Sequence, residues 1–128
     1  MTPRGEKTAA ESLPVDVATM RALVDRLLEE DAEPPTREEL RTFTLQLRGH
    51  LMLLIPEVED STRTRAADDG VRVGALAGVG EARRRLDQLP SWGLLGEIKH
   101  ALMLARSVRA LCEHLEGLRP FPTAERPS

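Results

Sequence analysis

Four side chains in this sequence could bind a ligand or move a proton together: Arg48, His50, Glu57 and His100. His50 and Glu57 fall seven residues apart, two helical turns, so a helix presents both on one face. An imidazole beside a carboxylate can hold a small polar ligand, and the carboxylate would raise the histidine's pKa. Arg48 adds a fixed cation on the same segment, and His100 brings a second imidazole from a later one. Together they outline a candidate ligand pocket beside Pro56. The plainer alternative is a hydrogen bond or ion pair at the edge of the core.

Other chemistries find less support. Glu97 and His100 form a single Glu-x-x-His, whereas dinuclear helical-bundle sites use two such motifs plus two further carboxylates. His50 and His114 have no Glu three residues before them, so half that constellation is missing. A mononuclear site from His50, Glu57 and His100 is geometrically conceivable, but isolated His and Glu residues on helices are usually solvated, and no metal or cofactor is expected. Cys112 falls on an apolar stripe, which favours a buried thiol over a nucleophile. No Gly-x-Ser-x-Gly elbow is present, and no catalytic set is assigned. The stretch GALAGVG at 74–80 ends in Glu81, Ala82 and Arg83, not in the Lys-Ser/Thr of a phosphate-binding loop. It reads as a helix of small residues where a neighbour packs closely. Arg83 to Arg85 read as a solvated face, with a phosphate or acidic-partner contact as the alternative.

The totals narrow the partners. The chain has 128 residues, 41% apolar and 30% charged, the composition of one globular domain. Its net charge of −3 gives no bulk attraction to nucleic acid or to an anionic membrane. Two Phe, one Trp and no Tyr leave no aromatic platform for stacking bases. The longest apolar run, Leu51 to Ile55, is far shorter than the roughly 20 residues that span a bilayer. One cysteine allows no internal disulfide, and the opening MTPRGEKTAAES has no apolar core of a secretory signal. The expected setting is cytoplasmic.

These residues are positioned by four expected helices. Val17, Met20, Val24, Leu27 and Leu28 make one stripe over residues 14–31, with Pro14 in the first turn and an acidic cluster fraying the end. Thr36 and Glu39 form a capping box that opens a helix to about residue 63. Leu40, Phe43, Leu47, Leu51, Leu54 and Val58 line one face of that helix. Leu45, Met52, Leu53 and Ile55 occupy its other faces, so it is expected to be the central helix, surrounded by neighbours. Pro56 should kink it. Residues 71–89 form a third helix weakened at its start by Gly74, Gly78 and Gly80. The fourth, capped by Ser91, runs to about residue 117 with a wide apolar face. Short connections favour antiparallel neighbours, so the fold expected is an all-α, small antiparallel four-helix bundle over residues 13–118. Residues 1–12 and 119–128 are expected to be disordered tails.

Three segments, LRGHLMLLIPEVE (47–59), GVGEARRRL (78–86) and ARSVRALCEHLE (105–116), carry a resemblance to a known group. They resemble small actinomycete proteins catalogued as a domain of unknown function, some labelled "natural product biosynthesis protein". The likeness covers most of residues 15–118, and Leu-Arg-Gly-His followed by an apolar run and Pro is its most specific part. It implies a genomic setting in secondary metabolism and no site residues. The arginine-rich composition, with only two lysines, agrees with such an origin.

The surplus of apolar residues on the second and fourth helices then favours a non-enzymatic module that binds a protein partner or a second copy. The alternative is an accessory enzyme or small-molecule binder using Arg48, His50, Glu57 and His100. A regulator that touches DNA is disfavoured by the acidic balance.

Overall fold

A computed structural model describes residues 16–29 and 33–118. Within them the chain is a helical bundle of four α-helices with no strand: α1 Val17–Leu28, α2 Arg37–Ser61, α3 Gly70–Asp87 and α4 Gly93–Leu118. The expected tails, Pro14, and Glu30 and Asp31 of the acidic cluster lie outside the described residues. No helix among the described residues is long and apolar enough to cross a membrane.

Local chemistry sets most of the helix ends. Asp16 caps α1 by accepting from the Thr19 amide at 3.1 Å, and α1 ends at Leu28, the last residue of its apolar stripe. The capping box at α2 is complete: Glu39 N donates to Thr36 Oγ1 at 3.1 Å, and Thr36 N donates to Glu39 Oε1 at 2.9 Å. Asp69 caps α3 through the Arg72 amide at 3.0 Å, so the glycine-containing stretch is helical from its first residue. At α4 the expectation fails. Ser91 makes no capping hydrogen bond, and the helix begins at Gly93, whose φ of +92° suits only glycine without strain. The Ser91 carbonyl lies instead against Gly96, in space that any Cβ would fill.

Pro56 lies on the exposed side of α2, and the helix continues through it to Ser61. The carbonyl deprived of its donor is that of Met52, also on the exposed side, where water can satisfy it.

The packing corrects the expected centre. α4 packs extensively on all three other helices, whereas α2 packs on α4 and α3 and meets α1 mainly where Arg26 lies over the Phe43 ring at 5.8 Å. Its buried residues Leu104, Val108, Leu111, Cys112 and Leu115 run along its length and meet Leu47, Leu51, Leu54 and Val58 of α2, Ala75, Val79 and Ala82 of α3, and Met20 and Val24 of α1. Arg21 pairs with Glu116 at 2.6 Å and Arg109 with Asp25 at 3.5 Å, so α1 runs antiparallel to α4. α3 is antiparallel as well: Gly78 faces His114 and Leu111, while Arg85 reaches the Met103 carbonyl at 2.9 Å. Of the residues on the outer faces of α2, only Ile55 is buried. Leu45 is 71% exposed, Met52 58% and Leu53 42%.

Candidate functional site

The four residues singled out as a pocket do not form one. His100 lines a cleft that sits at the N-terminal ends of α2 and α4 rather than beside Pro56. Its volume is about 360 Å³, and its walls are Leu40, Arg41, Thr44 and Leu45 of α2, Pro90 of the α3–α4 connection, and Glu97 and His100 of α4. Arg48 stands one turn beyond Thr44 on the same helix face, and its charge is felt at His100.

His100 is 8% exposed and makes no hydrogen bond among the described residues. Burial pushes its pKa below the ordinary histidine value, and the nearby Arg48 guanidinium adds to that. The ring is therefore held neutral at physiological pH, with one nitrogen able to donate and the other to accept. Neither Arg41 nor Arg48 makes a hydrogen bond or ion pair among the described residues. Glu97 is engaged: Arg37 Nε and one terminal nitrogen donate to its two oxygens, each at 3.3 Å, closing the N-terminal ends of α2 and α4 together. The cleft thus offers one uncommitted cation, Arg41, with Arg48 close enough to act on His100, together with a neutral imidazole, the Thr44 hydroxyl and apolar walls.

His50 and Glu57 stand elsewhere. They make no hydrogen bond or ion pair with each other, and burial, not a carboxylate, governs His50, lowering its pKa where a touching Glu57 would have raised it. Among the described residues no three His, Cys, Asp or Glu are placed to hold a metal ion, so His50, Glu57 and His100 are not gathered. Cys112 is fully buried. The arginine run is largely committed within the chain: Arg83 to Glu59 at 2.9 Å, Arg84 to Glu81 at 2.6 Å, and Arg85 to Glu81, Ser107 and the Met103 carbonyl. Arg85 is a clamp between α3 and α4 rather than part of a solvated face.

Sequence reasoning missed Arg41, Thr44, Leu45 and Pro90. The spacing of Arg41, Thr44 and Arg48, at steps of three and four, signals a shared polar stripe. What that stripe faces has no sequence signature. Uncovered apolar side chains include Leu45 in the cleft wall, Leu89 at 89% and Trp92 at 99% exposure, which flank Pro90 in the chain, and Leu94 and Leu95.

The chain belongs to a family of unknown function (DUF6415), whose model matches residues 18–120. No curated protein and no solved structure matches it.

Proposed function

We propose that this protein is a non-enzymatic, cytoplasmic interaction module that docks a protein partner or a second copy through its outer apolar surface. One observation carries the reading: α2 keeps Leu45, Met52 and Leu53 on faces that no other helix covers, and Leu89 and Trp92 stand out from the α3–α4 connection. Large exposed apolar side chains on a small domain cost solubility unless a partner covers them. Trp in particular is enriched where binding energy concentrates. The resemblance to actinomycete proteins labelled for natural-product biosynthesis supports a role beside the enzymes of such a pathway.

The test is sedimentation velocity on the full chain over a wide concentration range, alone and with protein purified from a host extract on the immobilised chain. Association that is lost in a Met52→Lys, Trp92→Lys double variant with an unchanged helical circular dichroism spectrum supports the reading. A monomer at every concentration, with captured proteins indifferent to the double substitution, overturns it.

A further inference from the structure

We propose that the cleft at His100 is a binding site for a small organic anion with a short apolar chain, its charged head held by Arg41 and Arg48 and hydrogen-bonded by His100. His100 is 8% exposed, lines the cleft, and has no hydrogen-bond partner among the described residues. Its ring nitrogens are not sealed off: among the described residues the buried side-chain atom without a partner is Arg85 Nε, so the imidazole opens to the cleft and can bond what enters it.

The charges point to the sign of the ligand. Arg41 lines the same cleft and Arg48 lies one turn past Thr44, both without an acidic partner among the described residues. The single carboxylate at the cleft, Glu97, is already held by Arg37 through two nitrogens, so it does not neutralise the other two cations. An incoming carboxylate or phosphate head meets guanidinium donors suited to planar or tetrahedral oxyanions, with Thr44 beside them.

The rest of the lining points to the body. Leu40, Leu45 and Pro90 form apolar walls, and a volume of about 360 Å³ admits a short chain or a single ring but not a nucleotide-sized ligand. An inorganic ion would leave those walls wet, and a neutral alcohol would leave the guanidinium groups unused. A head that is charged on a tail that is apolar uses both. The site needs neither a partner protein nor a second copy, so it stands or falls separately from the docking surface.

The experiment is isothermal titration calorimetry of the full chain with octanoate and octyl phosphate. Octanol serves as the chain without charge and acetate as the head without chain. Proton–nitrogen NMR of the His100 ring is recorded in parallel. Saturable one-to-one binding of octanoate or octyl phosphate is expected, roughly tenfold or more tighter than octanol or acetate, with the His100 resonances shifting. The preferred head of the two names the oxyanion. Arg41→Gln, at an exposed position that cannot unfold the bundle, is expected to weaken binding roughly tenfold, and His100→Gln, which keeps a donor and an acceptor, to weaken it less. Equal affinity for octanol and octanoate, no saturable binding of either anion, or an Arg41→Gln variant that binds like the parent would overturn the proposal.

Discussion

The imidazole of His114 lies against the backbone of Gly78: a Cβ built on that glycine would come within 2.9 Å of the ring's Cδ2 and 3.1 Å of its Nε2. α3 and α4 approach this closely because three of the α3 residues facing the core, Ala75, Val79 and Ala82, are small or medium, and Gly78 beside them has no side chain. The glycine stretch that superficially suggests a phosphate loop is thus a seat for a histidine ring.

That seat separates the glycines of α3. Gly74→Ala and Gly80→Ala meet only ordinary contacts, at 3.8 Å to His114 and 3.7 Å to Arg84. Each should stabilise the protein by about 0.5–1 kcal/mol through helix propensity. Gly78→Ala should instead cost about 1 kcal/mol, because the ring must leave its contact with α3. In a His114→Ala background the same substitution should become stabilising, and urea unfolding of the four-variant cycle measures the reversal.

Arg85 ties α3 to α4 through the Met103 carbonyl and the buried Ser107 hydroxyl, while Arg84 pairs only with exposed Glu81. Arg85→Met should therefore lower stability by about 1.5–3 kcal/mol, the range for hydrogen bonds to a charged group. Arg84→Met should change it by less than about 0.5 kcal/mol. Denaturant midpoints of the two variants, compared directly, decide whether the run is a clamp or a solvated face.

The two sides of α2 should respond differently to truncation. Leu51 is fully buried against α4, and Leu51→Ala should cost about 2–5 kcal/mol. Leu45 is 71% exposed, and Leu45→Ala should stay within about 0.5 kcal/mol. A large loss at Leu45 in thermal unfolding would mean that its face is covered in solution.

Acid should weaken the fold in two stages. Burial depresses the pKa of both His50 and His100 in the folded protein, with Arg48 adding to the effect at His100. Below the ordinary histidine value of about 6.5 the unfolded chain takes up protons that the folded one refuses, so stability is full above that pH and falls beneath it. Asp16, held low first by the Thr19 hydroxyl and then by the Thr19 amide, and Asp69, held low by the Arg72 amide, withdraw their support only below the usual carboxylate range. A His50→Gln, His100→Gln double variant should flatten the first stage and leave the second, as followed by unfolding midpoints from pH 7.5 to 3.

The sequence by itself determined the helices, because their causes are local. A capping box at Thr36 and Glu39, and stripes at three- and four-residue steps, act over one or two turns and can be read without knowing the neighbours. It also marked the apolar surplus on α2 and identified His100 as a residue to watch. Only the tertiary structure decided which helix is central and where the cleft lies. Leu45 and Leu51 are the same residue type on one helix, six positions apart, and nothing local says that α4 covers one and leaves the other bare. The cleft has the same origin. Arg41, Pro90 and His100 come from three separate stretches of chain, and the contact between the N-terminal ends of α2 and α4 that gathers them depends on how the apolar faces pack, a long-range outcome that no short spacing encodes.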